Sequence, residues 1–547
     1  MKLPIPVILF LLAWPVEAQQ PAASADAVEQ LLDRIVQREQ AFLHSLRAHT
    51  PLVETYIQET TWPPGTQPGN EDRPTQDHYF LGRVKVGASV GYEPLIERTA
   101  QPARESRGGL LPFRSKPKTQ PLTFLPRGFA QMAIVDLNGF DRRNYNFEYV
   151  RREFLGDVRA LVFDISPQRA EPGRFHGRIW VEDRDYNIVR FNGTYLPSLA
   201  PKNAPPELYF HFDSWRVNVR GSEWIPAQIY VEEAGEPGAA AHTRFKAQTR
   251  MWDYDSAPAS KLEELTQILI DSTSDVRDEA ASRDVSPLES QRAWERQAEE
   301  NVLARLEKGG LLAPAGPVDE VLNTVVNNLI VAGHLNIDAR CRVLLTTPVE
   351  TFSIGHTIVI SRGLIDVLPD ETSLALVLAD ELSHIALGHP TPTQFAFHNQ
   401  TMMSDGELFG HLHFERSTRE LDEAGAKTIE IMRASPYQKT GNAGLFLKAL
   451  HSRSAALPRL LAANMGNQLA NAPALARLSE FTVAAPELEE DKLEQIAALP
   501  LGSRIKLDPA TGKITLTATK PLSLLSPREK MPFEVTPFVT YLVRATQ

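Results

Sequence analysis

Apolar positions along this chain change their spacing several times, and each change marks a segment. In residues 25–48 Val28, Leu31, Leu32, Ile35, Phe42 and Leu46 recur every three or four positions. That spacing predicts an amphipathic helix. The Pro- and Gly-rich run WPPGTQPGNEDRPTQD that follows predicts a surface loop, so 25–76 reads as an N-terminal helix and loop. From 77 to 255 the period drops to two. RVKVGASVGY, FEYVRREFL, VRALVFDI, YFHFDSWRV and WIPAQIYVEEA are short, β-branched or aromatic runs bounded by turn residues. They predict consecutive antiparallel strands, and GRIWVEDRDYNIVRF, with Asp183-Arg184-Asp185 at its middle, predicts a hairpin.

Residues 256–310 are charged and helical in pattern, with a start at Ser286-Pro287 and a stop at Gly309-Gly310, and read as a connector. A second domain is expected over 311–470. PVDEVLNTVVNNLIVAG predicts a helix, CRVLLTTP, ETFSIG and HTIVIS a strand–turn–strand unit, and DETSLALVLADELSHIALGH a helix opening at Asp370. Another helix is expected at roughly 415–434 and one at GNAGLFLKALH. Residues 471–547 are expected to form a C-terminal β extension, because SRIKLDPATGKITLTAT and FEVTPFVTYLV have strand-like text. The fold class is therefore multidomain α+β.

With 547 residues the chain exceeds one ordinary core. A net charge of −11 and no dense run of Lys or Arg argue against a nucleic-acid partner. The N-terminus has Lys2, an apolar run from Ile5 to Val16 and the small-residue site Val16-Glu17-Ala18. This predicts a signal peptide at 1–18 and an exported chain, periplasmic or extracellular, and no later run is long enough for a membrane span. Cys341 is the single cysteine, so no internal disulfide is available, and its apolar surroundings predict burial.

The chemistry concentrates in LVLADELSHIALGHP, residues 376–390. Two ligands four apart share one helix face and can reach one ion, and a glutamate beside the first can take a proton from metal-bound water. That is the logic of H-E-x-x-H, but Asp380 stands at the first ligand position. Glu381 holds the base position and His384 the second ligand position. Asp380 is shorter than histidine, so together with His384 it would hold zinc weakly. The alternative is a metal-free polar pair between Asp380 and His384.

Two resemblances extend this reading. Strand rhythm over 147–233 resembles lipoprotein-sorting proteins of the LolA type, which implies an open antiparallel half-barrel and lipid or lipoprotein as a partner. The bland alternative is that Trp180, Phe191, Phe210, Trp215 and Trp224 simply make a core. HTIVISRGLIDVLPDETSLALVLADELSHIALGH resembles the HtpX and CAAX-prenyl-protease zinc metallopeptidases, which implies a zincin-like domain. By that resemblance Glu381 is the general base, zinc the cofactor, His389 the trailing histidine, and His356 the start of the substrate-binding edge strand. The family's third ligand falls at Leu421 and its following aspartate at Gly425, with Glu420 one residue away. His411 and His413 are further candidate ligands. Three functions follow as expectations: a metalloendopeptidase acting on envelope proteins or unfolded polypeptides, a catalytically inactive pseudopeptidase that binds protein, or a lipid carrier.

Overall fold

The computed structural model describes residues 25–61, 73–97, 123–197, 210–233, 243–254, 287–392, 405–517, 523–537 and 539–545. The expected signal peptide lies outside these residues, as does most of the expected loop at 62–76. The first described element is helix α1 (Ala25–Leu46), with Asp26 in its first turn and His44 in its last, a polarity that suits the helix dipole. Ten strands then build one sheet. They are β1 (Leu52–Thr61), β2 (Pro74–Val86), β3 (Val90–Glu97), β4 (Tyr145–Leu155), β5 (Val158–Pro167), β6 (Phe175–Glu182), β7 (Ile188–Tyr195), β8 (Phe210–Arg220), β9 (Glu223–Glu233) and β10 (Thr243–Trp252). The short helix α2 (Pro126–Gln131) falls between β3 and β4. The order is β3-β2-β1-β10-β9-β8-β7-β6-β5-β4, so among the described strands β3 and β4 are the edges and the sheet is an open half-barrel. Every pairing is antiparallel.

The sequence reading placed only a helix and a loop before position 77, and the structure corrects it. Strand β1 lies in that segment, inside the sheet between β2 and β10. Every position of β1 from Leu52 to Thr60 is buried, so the in-and-out alternation that advertises a strand is missing.

The two faces of the sheet meet different partners. On one face Val53, Ile57, Phe175, Phe191, Phe212 and Phe245 join the apolar stripe of α1 and residues of α2 in a single cluster. Edge-to-face rings such as Phe175–Phe191 and Phe191–Phe212 fill this face with the protein's own aromatics. Arg216 and Glu39, both buried, tie α1 to the sheet through two hydrogen bonds of 2.7 Å. On the other face Trp180, Trp215 and Trp224 form a smaller cluster with Leu542 from the C-terminal segment.

The remainder of that second face is covered by the helical half of the chain. It comprises α3 (Pro287–Lys308), α4 (Pro317–Ala332), β11 (Arg340–Leu344), β12 (Thr351–Ile354), β13 (Thr357–Ser361), α5 (Arg362–Val367), α6 (Glu371–Ala386), α7 (Asp405–His411), α8 (Thr418–Ala434), α9 (Gly441–Arg453), α10 (Pro458–Leu461), α11 (Ala472–Arg477) and α12 (Ser479–Ala484). β11 runs parallel to β13 and β12 antiparallel to it, which leaves β12 at the edge of a three-stranded sheet. Leu52, Tyr56, Tyr79, Leu81 and Trp252 of the large sheet share one core with Leu344, Ile360, Leu364 and Leu378. Polar anchors cross the same boundary. Glu54 accepts from the Thr347 hydroxyl and from Arg362, and Asp77 accepts from the Arg459 and Leu460 amides.

The C-terminal segment is less of a β structure than its text suggests. It opens with α11 and α12, and its described strands are only β14 (Ile505–Leu507) and β15 (Ile514–Leu516), joined across the expected turn at Asp508–Gly512. FEVTPFVTYLV, expected as a strand, has no strand among its described residues. This segment instead crosses the outer face, where Leu542 buries its side chain and its carbonyl accepts from the Asp157 amide. Cys341 is buried in β11 as expected, and burial pushes its thiol up to about 12.

Candidate functional site

Helix α6 carries the candidate chemistry and is pinned at its start. Asp370 is its N-cap and accepts from the Ser373 amide at 2.8 Å. Of the stripe the sequence predicts, Leu378 and Leu382 are fully buried, and Leu374 and Ile385 pack against the core from its margin. The helix is in fact buried all round from Ala375 to His384, which places Asp380, Glu381 and His384 in the interior together.

Asp380 does not bond to His384, contrary to the metal-free pairing that the sequence suggests. Its Oδ2 accepts from the Arg477 guanidinium at 2.8 Å, with side-chain exposures of 1% and 2% for the two residues. Its Oδ1 has a weaker partner in the Thr428 hydroxyl at 3.4 Å. Arg477 ends α11 and packs on Gly425 of α8, where an added Cβ would lie 3.1 Å from the Arg477 carbonyl oxygen. With glycine at 425 no Cβ presses on Arg477 where it closes over Asp380.

His384 bonds instead to His389, with 2.8 Å between the two Nδ1 atoms, while its Nε2 is buried with no hydrogen-bond partner. Burial, followed by the neighbouring Arg416, His389 and Arg477, pushes His384 down to about 2, so its ring is neutral. His389 turns its Nε2 toward Glu423 at 3.3 Å, and Glu423 is also bound by Arg419. Glu381 is fully buried and receives the Asn467 amide group at 3.2 Å. Burial and then the charge of Asp380 push its carboxyl up to about 7.

Glu420 serves a local purpose. It is the N3 residue of a capping box on α8 and accepts from the Ser417 amide at 2.9 Å and the Ser417 hydroxyl at 2.7 Å. His356 sits in the turn after β12, exposed, with its Nδ1 2.6 Å from the Asp338 carbonyl oxygen. His411 and His413 are exposed as well.

These contacts decide how well the site suits zinc. Of the expected donors, only His384 Nε2 is both buried and unengaged. Asp380 is neutralised by Arg477, Glu420 caps its helix, and both nitrogens of His389 are engaged. Among the described residues no group of three or more His, Cys, Asp or Glu is arranged to hold a metal ion. Two guanidiniums also stand near His384, where a dication would be repelled. The residues present do not fit zinc.

The structure thus adds Arg477, Arg416 and Asn467, which sequence reasoning missed. Arg416 donates to the Ser353 hydroxyl at 3.0 Å and reaches the Ser353 carbonyl oxygen at 3.4 Å, on the outer edge of β12. Nothing in the local pattern marks these three, since each acts through a long-range contact. The capping role of Glu420, by contrast, is written in Ser417-Thr418-Arg419-Glu420, a serine followed three residues later by a glutamate.

Residues 322–440 match the profile of Peptidase family M48, a stretch well short of half the chain. No curated protein matches significantly. Among solved structures the chain is similar to a LolA superfamily protein from Nitrosomonas europaea, at 15% identity over 41% of this chain and 91% of that one, with a TM-score of 0.22. It is also similar to the MucA/MucB complex of Pseudomonas aeruginosa, at 9% identity over 40% and 93% of the two chains, with a TM-score of 0.11. Among the described residues no helix is long and apolar enough to cross a membrane.

Proposed function

We propose that this chain is an exported pseudopeptidase: an M48-type fold that binds extended polypeptide in the cell envelope without cutting it. One observation carries the reading. The first ligand position is a carboxylate already neutralised by a buried arginine, so the charge that would hold an ion is spent on an internal ion pair. Repulsion by Arg416 and Arg477 and the engagement of Glu420 in its helix cap support the same conclusion. The signal-peptide pattern at the N-terminus supports export.

Partners in this reading are envelope proteins or unfolded polypeptides. A lipid carrier is less well supported, because α1 and the sheet's own aromatics fill the face on which an acyl chain would lie. The metallopeptidase reading keeps two observations in its favour: His384 Nε2 and Glu381 Oε2 are both buried without a hydrogen-bond partner, as an idle ligand and an idle base would be.

Elemental mass spectrometry on protein purified without chelators or metal-affinity resin separates the two. The expected result is no stoichiometric zinc and no cleavage of an unfolded protein. Near one zinc per chain, with cleavage abolished by Glu381→Gln, would overturn the proposal.

A further inference from the structure

The edge strand β12 is not open. The segment Ala463–Asn467, buried at every residue, lies along it. Thr351 and Asn467 form an antiparallel bridge, with the Asn467 amide donating to the Thr351 carbonyl at 3.0 Å. The next outward carbonyl along the strand, at Ser353, is met by the Arg416 guanidinium.

Three further features hold the segment in place. The Glu350 carboxylate, adjoining β12, accepts from the Asn464 and Met465 amides at 2.8 Å each and the Gly466 amide at 3.2 Å. The Met465 carbonyl accepts from the Phe414 amide at 2.6 Å, and the Phe414 ring stacks on Phe352 of the strand. Gly466 presses on Thr351, where an added Cβ would lie 2.4 Å from the carbonyl oxygen. Asn467 then joins the segment to the site itself, accepting from the Arg416 amide and donating to Glu381.

An exposed strand edge is a template for any extended chain. Here the protein covers that template with its own backbone, and one anchor is a single carboxylate gathering three amides. We infer that Ala463–Asn467 is a built-in occupant of the β12 groove, displaced when an extended polypeptide adds to the strand. The inference rests on the proposed polypeptide-binding function and names its regulation. The incoming chain pairs with the Thr351 carbonyl in place of Asn467 and needs a small residue where Gly466 now sits. The bound state is therefore reached only through opening, and apparent affinity scales with the fraction of molecules open.

A reversible lock tests this. Bridged antiparallel residues stand close enough for a disulfide, so Thr351→Cys with Asn467→Cys can be oxidised to fix the segment and reduced to free it. The native Cys341 is buried and does not compete. The probe is fluorescein-labelled, reduced and carboxymethylated α-lactalbumin, a permanently unfolded chain, with binding read by fluorescence anisotropy. The expected result is binding by the reduced variant that oxidation abolishes and reduction restores.

Glu350→Gln weakens the three-amide anchor without removing the strand. It is expected to bind the probe about tenfold tighter than the parent, as when the open fraction rises from about one in a hundred to one in ten. Hydrogen exchange at 463–467 should quicken in parallel. Equal binding by the oxidised and reduced forms would overturn the inference and leave the polypeptide-binding function standing at another surface. No binding by the reduced variant, the oxidised variant or Glu350→Gln would overturn both.

Discussion

Replacing Arg477 with methionine is the most informative single change, because it leaves the Asp380 carboxylate buried with only the Thr428 hydroxyl nearby. Removing one partner of a buried ion pair costs about 3–5 kcal/mol, since the remaining charge is desolvated without compensation. Arg477→Met should therefore lower the urea midpoint of unfolding, followed by circular dichroism at 222 nm. Because both halves unfold from one shared core, the cooperative unit exceeds about 250 residues and the same loss lowers Tm by less than roughly 6–20 °C. Asp380→Leu combined with Arg477→Met should recover most of the loss. The pair is costly even when intact, because Nε and Nη1 of Arg477 are buried without partners. The double variant is expected within about 1–2 kcal/mol of the parent or above it. A loss under about 1 kcal/mol for Arg477→Met would refute the reasoning. It would mean that Asp380 does not depend on Arg477 and is available to a metal.

Three other outcomes follow from the geometry. Glu381 has its carboxyl raised to about 7 in the folded chain, so its stabilising contribution is complete below the ordinary carboxylate range and is lost as pH rises through 7. Glu381→Gln should thus gain on the parent by on the order of 3 kcal/mol between pH 5 and pH 8 in urea unfolding; a constant difference would show the parent carboxyl to be ionised throughout. Comparing the two proteins cancels His384, whose depressed value acts with the opposite sign. Asp380→His alone should leave zinc content unchanged, whereas Asp380→His with Leu421→Glu and Arg477→Ala should bind near one zinc per chain by elemental mass spectrometry. Zinc uptake by the single variant would show that Arg477 is no barrier. Glu54→Ala removes the nearer carboxylate from the buried Arg362 guanidinium, which keeps Asp366 at 3.7 Å and the Thr347 hydroxyl, and should cost less than the roughly 3–5 kcal/mol of a fully stranded charge. Tryptophan fluorescence and circular dichroism should still report one coincident thermal transition, and two separate transitions would contradict a shared core.

Much of the architecture was legible because solvent leaves a signature. Strands β4 to β9 and helices α1, α3, α4 and α6 each have a wet side or a capped end, and their periods or boundary residues survive in the text. Strands β1 and β10 escaped notice for the opposite reason. They sit together inside the sheet, with strands on both sides, and in β1 the letters that look polar, Glu54, Thr55 and Gln58, are buried. Glu54 and Gln58 are polar because they bond across to the helical half, Glu54 to Thr347 and Arg362 and Gln58 to Phe533 and Val535. The candidate site divides in the same way. Asp380, Glu381 and His384 were legible as one face of one helix. Their partners Arg477 and Asn467 lie 97 and 86 residues further on, and no local spacing joins them.

Strand β1 also constrains how this protein can change over generations. With one face against α1's cluster and the other against the helical half, it has no surface on which a substitution is silent. An improvement to either neighbour is screened at once by the other, so the two halves are inherited as a unit. A recombination breakpoint between 254 and 287 would separate Trp252 from the Gly310 carbonyl it bonds and expose the shared core on both fragments. New capabilities should therefore arise at the margin, on the edge strand β4, where a mutation answers to one neighbouring strand only.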